Sequence, residues 1–116
     1  MQVRILDKNK LMEELKAILL ERFSDKDVKI YLFGSWAKGK EKRTSDIDIG
    51  IWGPDLTSQD LALLRLEFEE LTLPYRVDLV NLNKVESDFL AKVKEEGIVW
   101  KDYNTNRDQR ESTIKV

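Results

Sequence analysis

Apolar residues recur at three- and four-residue intervals in three segments of the chain, and this spacing predicts three amphipathic helices over 9–23, 57–71 and 84–96. Asn9 and Thr57 are expected to cap the first two helices, and Asp60 lies where the second residue of a capping box belongs. Gly97 is expected to end the third helix. The residues expected to face the core are Leu11, Leu15, Ile18, Leu19 and Arg22, then Leu61, Leu64, Phe68 and Leu71, then Phe89, Leu90 and Val93.

Short runs rich in β-branched and aromatic residues lie between these helices and predict strands over 28–33, 47–52, 76–81 and 98–100. Gly34 ends the first run, and Gly53 and Pro54 end the second. An edge strand is an option within residues 1–7, because Val3 and Ile5 alternate with polar residues. Residues 102–116 are mostly polar and are expected to be a mobile tail or a partner-dependent arm.

Strands that alternate with helices indicate an α/β (α+β) domain, here a small mixed sheet of about four strands flanked by helices. We assign residues 1–101 to this domain and 102–116 to the tail. The connection between the first two strong strands is too short for a right-handed crossover, which needs a dozen or more residues. These two strands are therefore expected to be antiparallel neighbours.

Composition narrows the chemistry that this domain can perform. The 116 residues include no cysteine and no histidine, which excludes disulfides, a thiol nucleophile and an imidazole base. Carboxylate-only sites favour hard cations such as Mg²⁺. The net charge of −2 gives no expectation of direct DNA binding. Since no long apolar segment or signal sequence is apparent, we expect no membrane span and a cytoplasmic location.

Three aspartates are candidate metal ligands. Asp46 and Asp48 are two residues apart at the start of a predicted strand, so their side chains point to the same face. Asp78 lies in another predicted strand, and it can converge on the same spot if the two strands are neighbours. Such a set suits a magnesium site completed by substrate phosphates. Each aspartate has a simpler interpretation as a solvated strand residue.

A glycine–serine turn precedes these carboxylates. Gly34 can bring backbone amides close to a phosphate, and Ser35 can bind a phosphate oxygen or cap the following turn. Lys38 lies one turn further on. The alternative is a plain strand-to-helix turn with solvated lysines. Trp36 either stacks on a base, faces a partner, or covers the edge of the sheet.

In combination these features are more specific. The chain contains Gly34-Ser35-Trp36-Ala37-Lys38-Gly39, then Ser45-Asp46-Ile47-Asp48, then Asp78. This order resembles the nucleotidyltransferase superfamily that includes DNA polymerase beta, and within it the minimal nucleotidyltransferases (MNT). One departure is Lys38, where the MNT pattern has arginine, and it affects the tightness of triphosphate binding because lysine lacks the two-pronged phosphate contact.

The resemblance implies a nucleotidyltransferase fold and the transfer of a nucleoside monophosphate, AMP from ATP, to a hydroxyl group. It implies two Mg²⁺ ions held by Asp46, Asp48 and Asp78, and these aspartates would also be the catalytic residues. The nucleotide-binding residues would be Gly34, Ser35, Lys38 and Ser45.

The MNT resemblance also implies a partner. Stand-alone MNT proteins resemble antitoxins that pair with a HEPN-family ribonuclease toxin and place AMP on a tyrosine of that toxin. Two alternatives remain open at this point. One is a non-catalytic antitoxin that neutralises its partner by occlusion, and the other is a small-molecule nucleotidyltransferase that acts as a homo-oligomer, namely a dimer.

Overall fold

The structure, a computed structural model, describes residues 7–102. Its helices and strands follow in the order α1 (Lys8–Arg22), β1 (Lys29–Phe33), β2 (Ile47–Trp52), α2 (Ser58–Glu70), β3 (Val77–Asn81), α3 (Ser87–Glu96) and β4 (Ile98–Lys101), with short 3-10 helices at Gly34–Trp36 and Leu82–Lys84. The expectations for an N-terminal edge strand and for the polar tail lie outside the described residues. None of the helices in this part of the chain is long and apolar enough to cross a membrane.

The four strands form one mixed sheet in the order β3-β2-β1-β4. β1 is antiparallel to both β2 and β4, and β2 is parallel to β3. The predicted mixed sheet is confirmed, as is the antiparallel pairing of the first two strands. Helix α2 supplies the crossover that the parallel pair β2–β3 requires.

The two faces of the sheet carry different helices. The larger core lies where α1 and α2 cover one face, and it includes Leu15, Leu64 and the odd-numbered residues Ile47, Ile49 and Ile51 of β2. A smaller cluster on the opposite face joins Tyr31, Leu82 and Val93. Since side chains alternate along a strand, the even-numbered residues of β2, including Asp48, lie on the face that α3 covers.

The helix boundaries differ from the predictions most clearly at the starts of α1 and α3. Asp7 caps α1 instead of Asn9, because the helix begins one residue earlier and the Asp7 carboxylate accepts the Lys10 N–H at 3.1 Å. Helix α3 begins at Ser87 and not near Lys84, since residues Leu82–Lys84 form a separate 3-10 helix.

Three of the residues predicted to face the core are exposed. Arg22 ends α1 and pairs with Glu67 at 3.0 Å. Leu71 is 46% exposed because α2 ends at Glu70, so that Leu71 lies at the C-terminal cap. Phe89 is 40% exposed, and its ring meets the edge of the Phe33 ring beside the end of β1. Ile18 is half-buried, and the remaining predicted core positions of α1 and α2, which are Leu11, Leu15, Leu19, Leu61, Leu64 and Phe68, are buried.

The start of α2 has the predicted capping box. The Thr57 hydroxyl accepts the Asp60 N–H, and the Asp60 carboxylate accepts the Thr57 N–H, both at 3.0 Å. Asp60 also receives Lys26 Nζ at 2.8 Å, which ties the N-terminus of α2 to the loop before β1. One polar pair therefore satisfies the helix end and fixes its position against the sheet.

We expect Thr57→Ala to lower the free energy of unfolding by about 1 kcal/mol, since the Asp60 N–H loses its acceptor. Chemical denaturation followed by circular dichroism measures this change. Thr57→Ser keeps the hydroxyl and should retain at least half of the stability that Thr57→Ala loses. Equal losses in the two variants would show that the hydroxyl does not stabilise the fold.

Candidate active site

The parallel pairing of β2 with β3 brings two of the candidate aspartates together. Asp48 lies directly opposite Asp78 in the strand register, and on its other side Asp48 lies opposite Phe33 of β1. Asp46 comes immediately before β2, two residues from Asp48. The structure therefore places all three carboxylates at one end of neighbouring strands, on the face that α3 covers.

The surroundings of the three carboxylates are unequal. Asp46 and Asp78 are exposed, whereas Asp48 is half-buried. Burial, and then the negative charges of Asp78 and Asp46, raise the pKa of Asp48 to about 6. At neutral pH the charged form of Asp48 is therefore costly, and a cation beside it would relieve that cost.

The donor chemistry of these residues fits a hard divalent cation, because all three are carboxylates and they repel one another. Within residues 7–102, however, no group of three or more acidic side chains is close enough together to form a ligand set. The fit therefore depends on the chemistry and the shared position of the aspartates, and their role as metal ligands stays a prediction.

Gly34 packs directly against Asp48. It has a positive φ of 77°, and a Cβ added to it would overlap the Asp48 Oδ2 atom. Glycine is thus needed at this position both for the backbone conformation and for the space. The result is that the glycine–serine turn and the Asp48 carboxylate are in direct contact.

The turn continues into the loop that leads to Asp46, and Trp36 joins the two. Trp36 is only 7% exposed, and its ring packs edge to face with the Tyr75 ring, with the two centroids 4.8 Å apart. Its Nε1 donates to the Ser45 carbonyl at 3.3 Å. The hypothesis that Trp36 stacks on a base is therefore wrong, since the indole is part of the core. Sequence reasoning missed that Trp36 positions the residue before Asp46.

The remaining predicted nucleotide-binding residues occupy different settings. Ser35 is half-buried in the first turn after β1. The Ser45 hydroxyl accepts the Lys42 N–H at 2.8 Å and thereby closes the charged loop. Lys38 extends towards α3, where its Nζ lies 3.0 Å from Glu96 Oε1. Nucleotide binding by these residues stays a prediction.

Two cavities flank the carboxylates. The one on the α3 side measures about 250 Å³ and is lined by Phe33, Gly34, Lys38, Phe89, Lys92, Val93 and Glu96. The one along α2 and β3 measures about 340 Å³ and includes Arg65, Tyr75, Arg76 and Asp78. Sequence reasoning missed the α3 residues, because they lie far along the chain from the Gly34–Asp48 motif and share no spacing with it.

Comparison with known proteins identifies the family. The family model described as the nucleotidyltransferase domain matches residues 12–101. A candidate protein adenylyltransferase of Methanocaldococcus jannaschii is 34% identical over 91 residues, which cover 78% of this chain and 90% of that protein. MntA of Haemophilus influenzae, also a candidate protein adenylyltransferase, is 34% identical over 76 residues, which cover 63% of this chain and 65% of MntA. The chain therefore belongs to the nucleotidyltransferase domain family.

Solved structures agree with this assignment. A minimal nucleotidyltransferase aligns with a TM-score of 0.62 at 28% identity, covering 80% of this chain and 93% of that one. A toxin–antitoxin complex with AMP-PNP gives a TM-score of 0.60 at 30% identity, with coverages of 88% and 82%. A complex of a tri-AMPylated HEPN toxin of Shewanella oneidensis with its MNT antitoxin gives 0.55 at 26% identity, with coverages of 90% and 81%. The predicted nucleotidyltransferase fold is confirmed.

The contact between Gly34 and Asp48 can be tested with a matched pair of glycine variants. Gly39 has a φ of 70°, similar to that of Gly34, but a Cβ added at Gly39 would meet nothing within 4 Å. We expect Gly39→Ala to cost about 1 kcal/mol of stability from backbone strain alone. Gly34→Ala should cost at least about 1 kcal/mol more, because the overlap with Asp48 adds to the strain. Equal losses in urea denaturation would contradict this contact.

We also expect Asp48→Asn to raise the melting temperature of the metal-free protein by about 4 °C at pH 8, because it removes the repelled, half-buried charge. The raised pKa means that the charge costs stability above about pH 6 and progressively less as the pH falls towards the pKa of the unfolded chain. The gain should therefore shrink at pH 4.5. Asp25→Asn, in the exposed turn after α1, is the control and should leave the melting temperature unchanged.

Proposed function

We propose that this chain is a magnesium-dependent adenylyltransferase that moves AMP from ATP to a tyrosine hydroxyl of a HEPN-type toxin and thereby acts as its antitoxin. The observation that carries the proposal is the contact of the Gly34–Ser35 turn with Asp48, which lies opposite Asp78. A phosphate-binding turn beside paired carboxylates supplies the two elements that nucleotidyl transfer needs, which are positioning and charge neutralisation.

Asp46, Asp48 and Asp78 would hold the magnesium. When bound, the metal supplies positive charge to the phosphate oxygens and lowers the electrostatic cost of bringing a triphosphate to three carboxylates. Asp48 would gain most from it, because this is the carboxylate whose pKa is raised by burial and by its two neighbours. The raised pKa supports cation binding at this position.

The chain's own residues would orient the reactants. Gly34 and Ser35 would bind the triphosphate so that its α-phosphorus lies over the ends of β2 and β3. The acceptor hydroxyl oxygen then forms a bond to the α-phosphorus, the bond from the α-phosphorus to the bridging oxygen breaks, and pyrophosphate leaves. Asp78 is exposed at the edge strand, where it can accept the hydroxyl proton.

The acceptor would reach this site through a cavity separate from the one beside the glycine–serine turn. The cavity along α2 and β3 reaches Asp78 from the side away from the Gly34–Ser35 turn, and its lining includes Arg65 and Arg76. An acceptor in this cavity would reach Asp78 at the edge strand without crossing the Gly34–Ser35 turn, where the nucleotide would bind. The tri-AMPylated HEPN toxin in the Shewanella oneidensis complex supports a protein acceptor of this class.

We expect the double variant Asp46→Asn, Asp48→Asn to lose AMP transfer to a HEPN-type partner by more than about 100-fold, because charge neutralisation at the phosphates is lost. Labelled ATP, magnesium and the purified partner provide the assay. Chelation of the metal should give the same loss, and a partner tyrosine replaced by phenylalanine should remove the acceptor.

Asp25→Asn is the matched control, since Asp25 lies at the end of the domain opposite to the carboxylates and the change removes one carboxylate charge there. It should transfer AMP at the normal rate. Undiminished transfer by the double variant would refute the proposal. If wild-type protein transfers nothing while both wild-type and double variant neutralise the toxin in cells, neutralisation proceeds by occlusion instead.

A further inference from the structure

The cavity on the α3 side of the Gly34–Ser35 turn combines residues from two distant parts of the chain. Lys38 follows the turn, whereas Lys92 and Glu96 lie one helical turn apart on α3. Phe33 lines the cavity and is the register partner of Asp48. The cavity therefore adjoins the carboxylates on the same face of the sheet.

Glu96 interacts with both lysines of this cavity. Lys38 Nζ is 3.0 Å from Glu96 Oε1, and the two side chains are 45% and 39% exposed. The hydrogen bond from Lys38, and with it the charges of Lys38 and Lys92, lower the pKa of Glu96. An ionised carboxylate thus occupies an anion position that Lys38 and Lys92 create.

We propose that this position binds the β- and γ-phosphates of the nucleotide, with Lys92 as a second phosphate-binding cation beside Lys38, and that Glu96 occupies it until the nucleotide displaces the carboxylate. This inference rests on the proposed adenylyl transfer. With the α-phosphorus over Asp48, the leaving pyrophosphate must extend past Gly34, and Gly34 is one of the residues that line the cavity.

The ion pair that the nucleotide must break is weak. Exposed pairs of this kind contribute little to stability, so the exchange of Glu96 for a triphosphate costs the protein little. A triphosphate carries several negative charges where Glu96 carries one, and it gains both lysines at once. Phe33 and Phe89 form one wall of the cavity, with ring centroids 5.8 Å apart.

Glu96 and Lys92 should act in opposite directions on nucleotide affinity. We expect Lys92→Ala to weaken the binding of AMP-PNP with magnesium about fivefold, because this variant loses one charge-assisted contact to the phosphates. Glu96→Gln should tighten binding about threefold, because the competing carboxylate and its repulsion of the phosphates are removed. Both effects should decrease at high salt.

Isothermal titration calorimetry with the whole chain tests this, using AMP-PNP and inorganic tripolyphosphate as separate probes. Lys94→Ala is the matched control, since Lys94 lies on the same helix but its Nζ is 4.2 Å from the Trp52 ring centroid, outside the cavity. Circular dichroism and the melting temperature confirm that each variant folds. The proposal expects Lys92→Ala to weaken both probes by the same factor and Lys94→Ala to change neither.

Three results would overturn the inference. Equal effects of Lys92→Ala and Lys94→Ala would show that α3 contributes only general charge. A loss for AMP-PNP without a loss for tripolyphosphate would place the nucleoside, and not the phosphates, in the cavity. If the wild-type chain binds neither probe, the proposed adenylyl transfer itself fails, whereas normal wild-type binding with the first or second result refutes only the role of Lys92 and Glu96.

Discussion

The carboxylate of Asp48 is the group on which the arrangement of the site depends. It lies on a strand with neighbours on both sides, opposite Phe33 and Asp78, and Gly34 leaves just enough space for it. Burial and the neighbouring negative charges raise its pKa to about 6, so the fold holds this group in an unfavourable state. The stabilisation that offsets this comes from the opposite face of the same strand, where Ile47, Ile49 and Ile51 are fully buried.

This division of one strand into a core face and a functional face explains why so much could be predicted from the sequence. Alternation fixes Asp46 and Asp48 on one face, and the apolar residues at alternate positions, Ile47, Ile49 and Ile51, identify the other. The short connection after β1 excluded a parallel crossover, which correctly predicted the antiparallel pairing of β1 and β2. The position of Asp78 followed once β3 was the parallel neighbour of β2, although the sequence alone did not determine that pairing.

The features that could not be predicted depend on contacts between distant segments. From its position in the sequence motif, Trp36 could have been an exposed binding residue. Its side chain is instead buried against Tyr75, which follows α2. The exposure of Phe89 depends on where α3 lies on the sheet, and helical periodicity does not define that position. The positions of Lys92 and Glu96 could not be predicted either, because charged residues on an amphipathic helix are normally solvated. Only the tertiary arrangement brings these two residues close to the Gly34–Ser35 turn.

The presence of lysine at position 38 has a physical consequence that links these observations. An arginine would present a planar fork suited to two phosphate oxygens and would stay fixed by two hydrogen bonds, whereas a lysine is a single mobile charge. A mobile charge can pair with Glu96 at 3.0 Å when no phosphate is present and turn to the phosphates when they arrive. Such an exchange lowers nucleotide affinity by the energy of the ion pair, but it also lowers the barrier to release, because Glu96 can replace pyrophosphate on Lys38 as it leaves. Weaker binding at this position would then favour turnover, so that the loss of the two-pronged contact is compatible with an active enzyme.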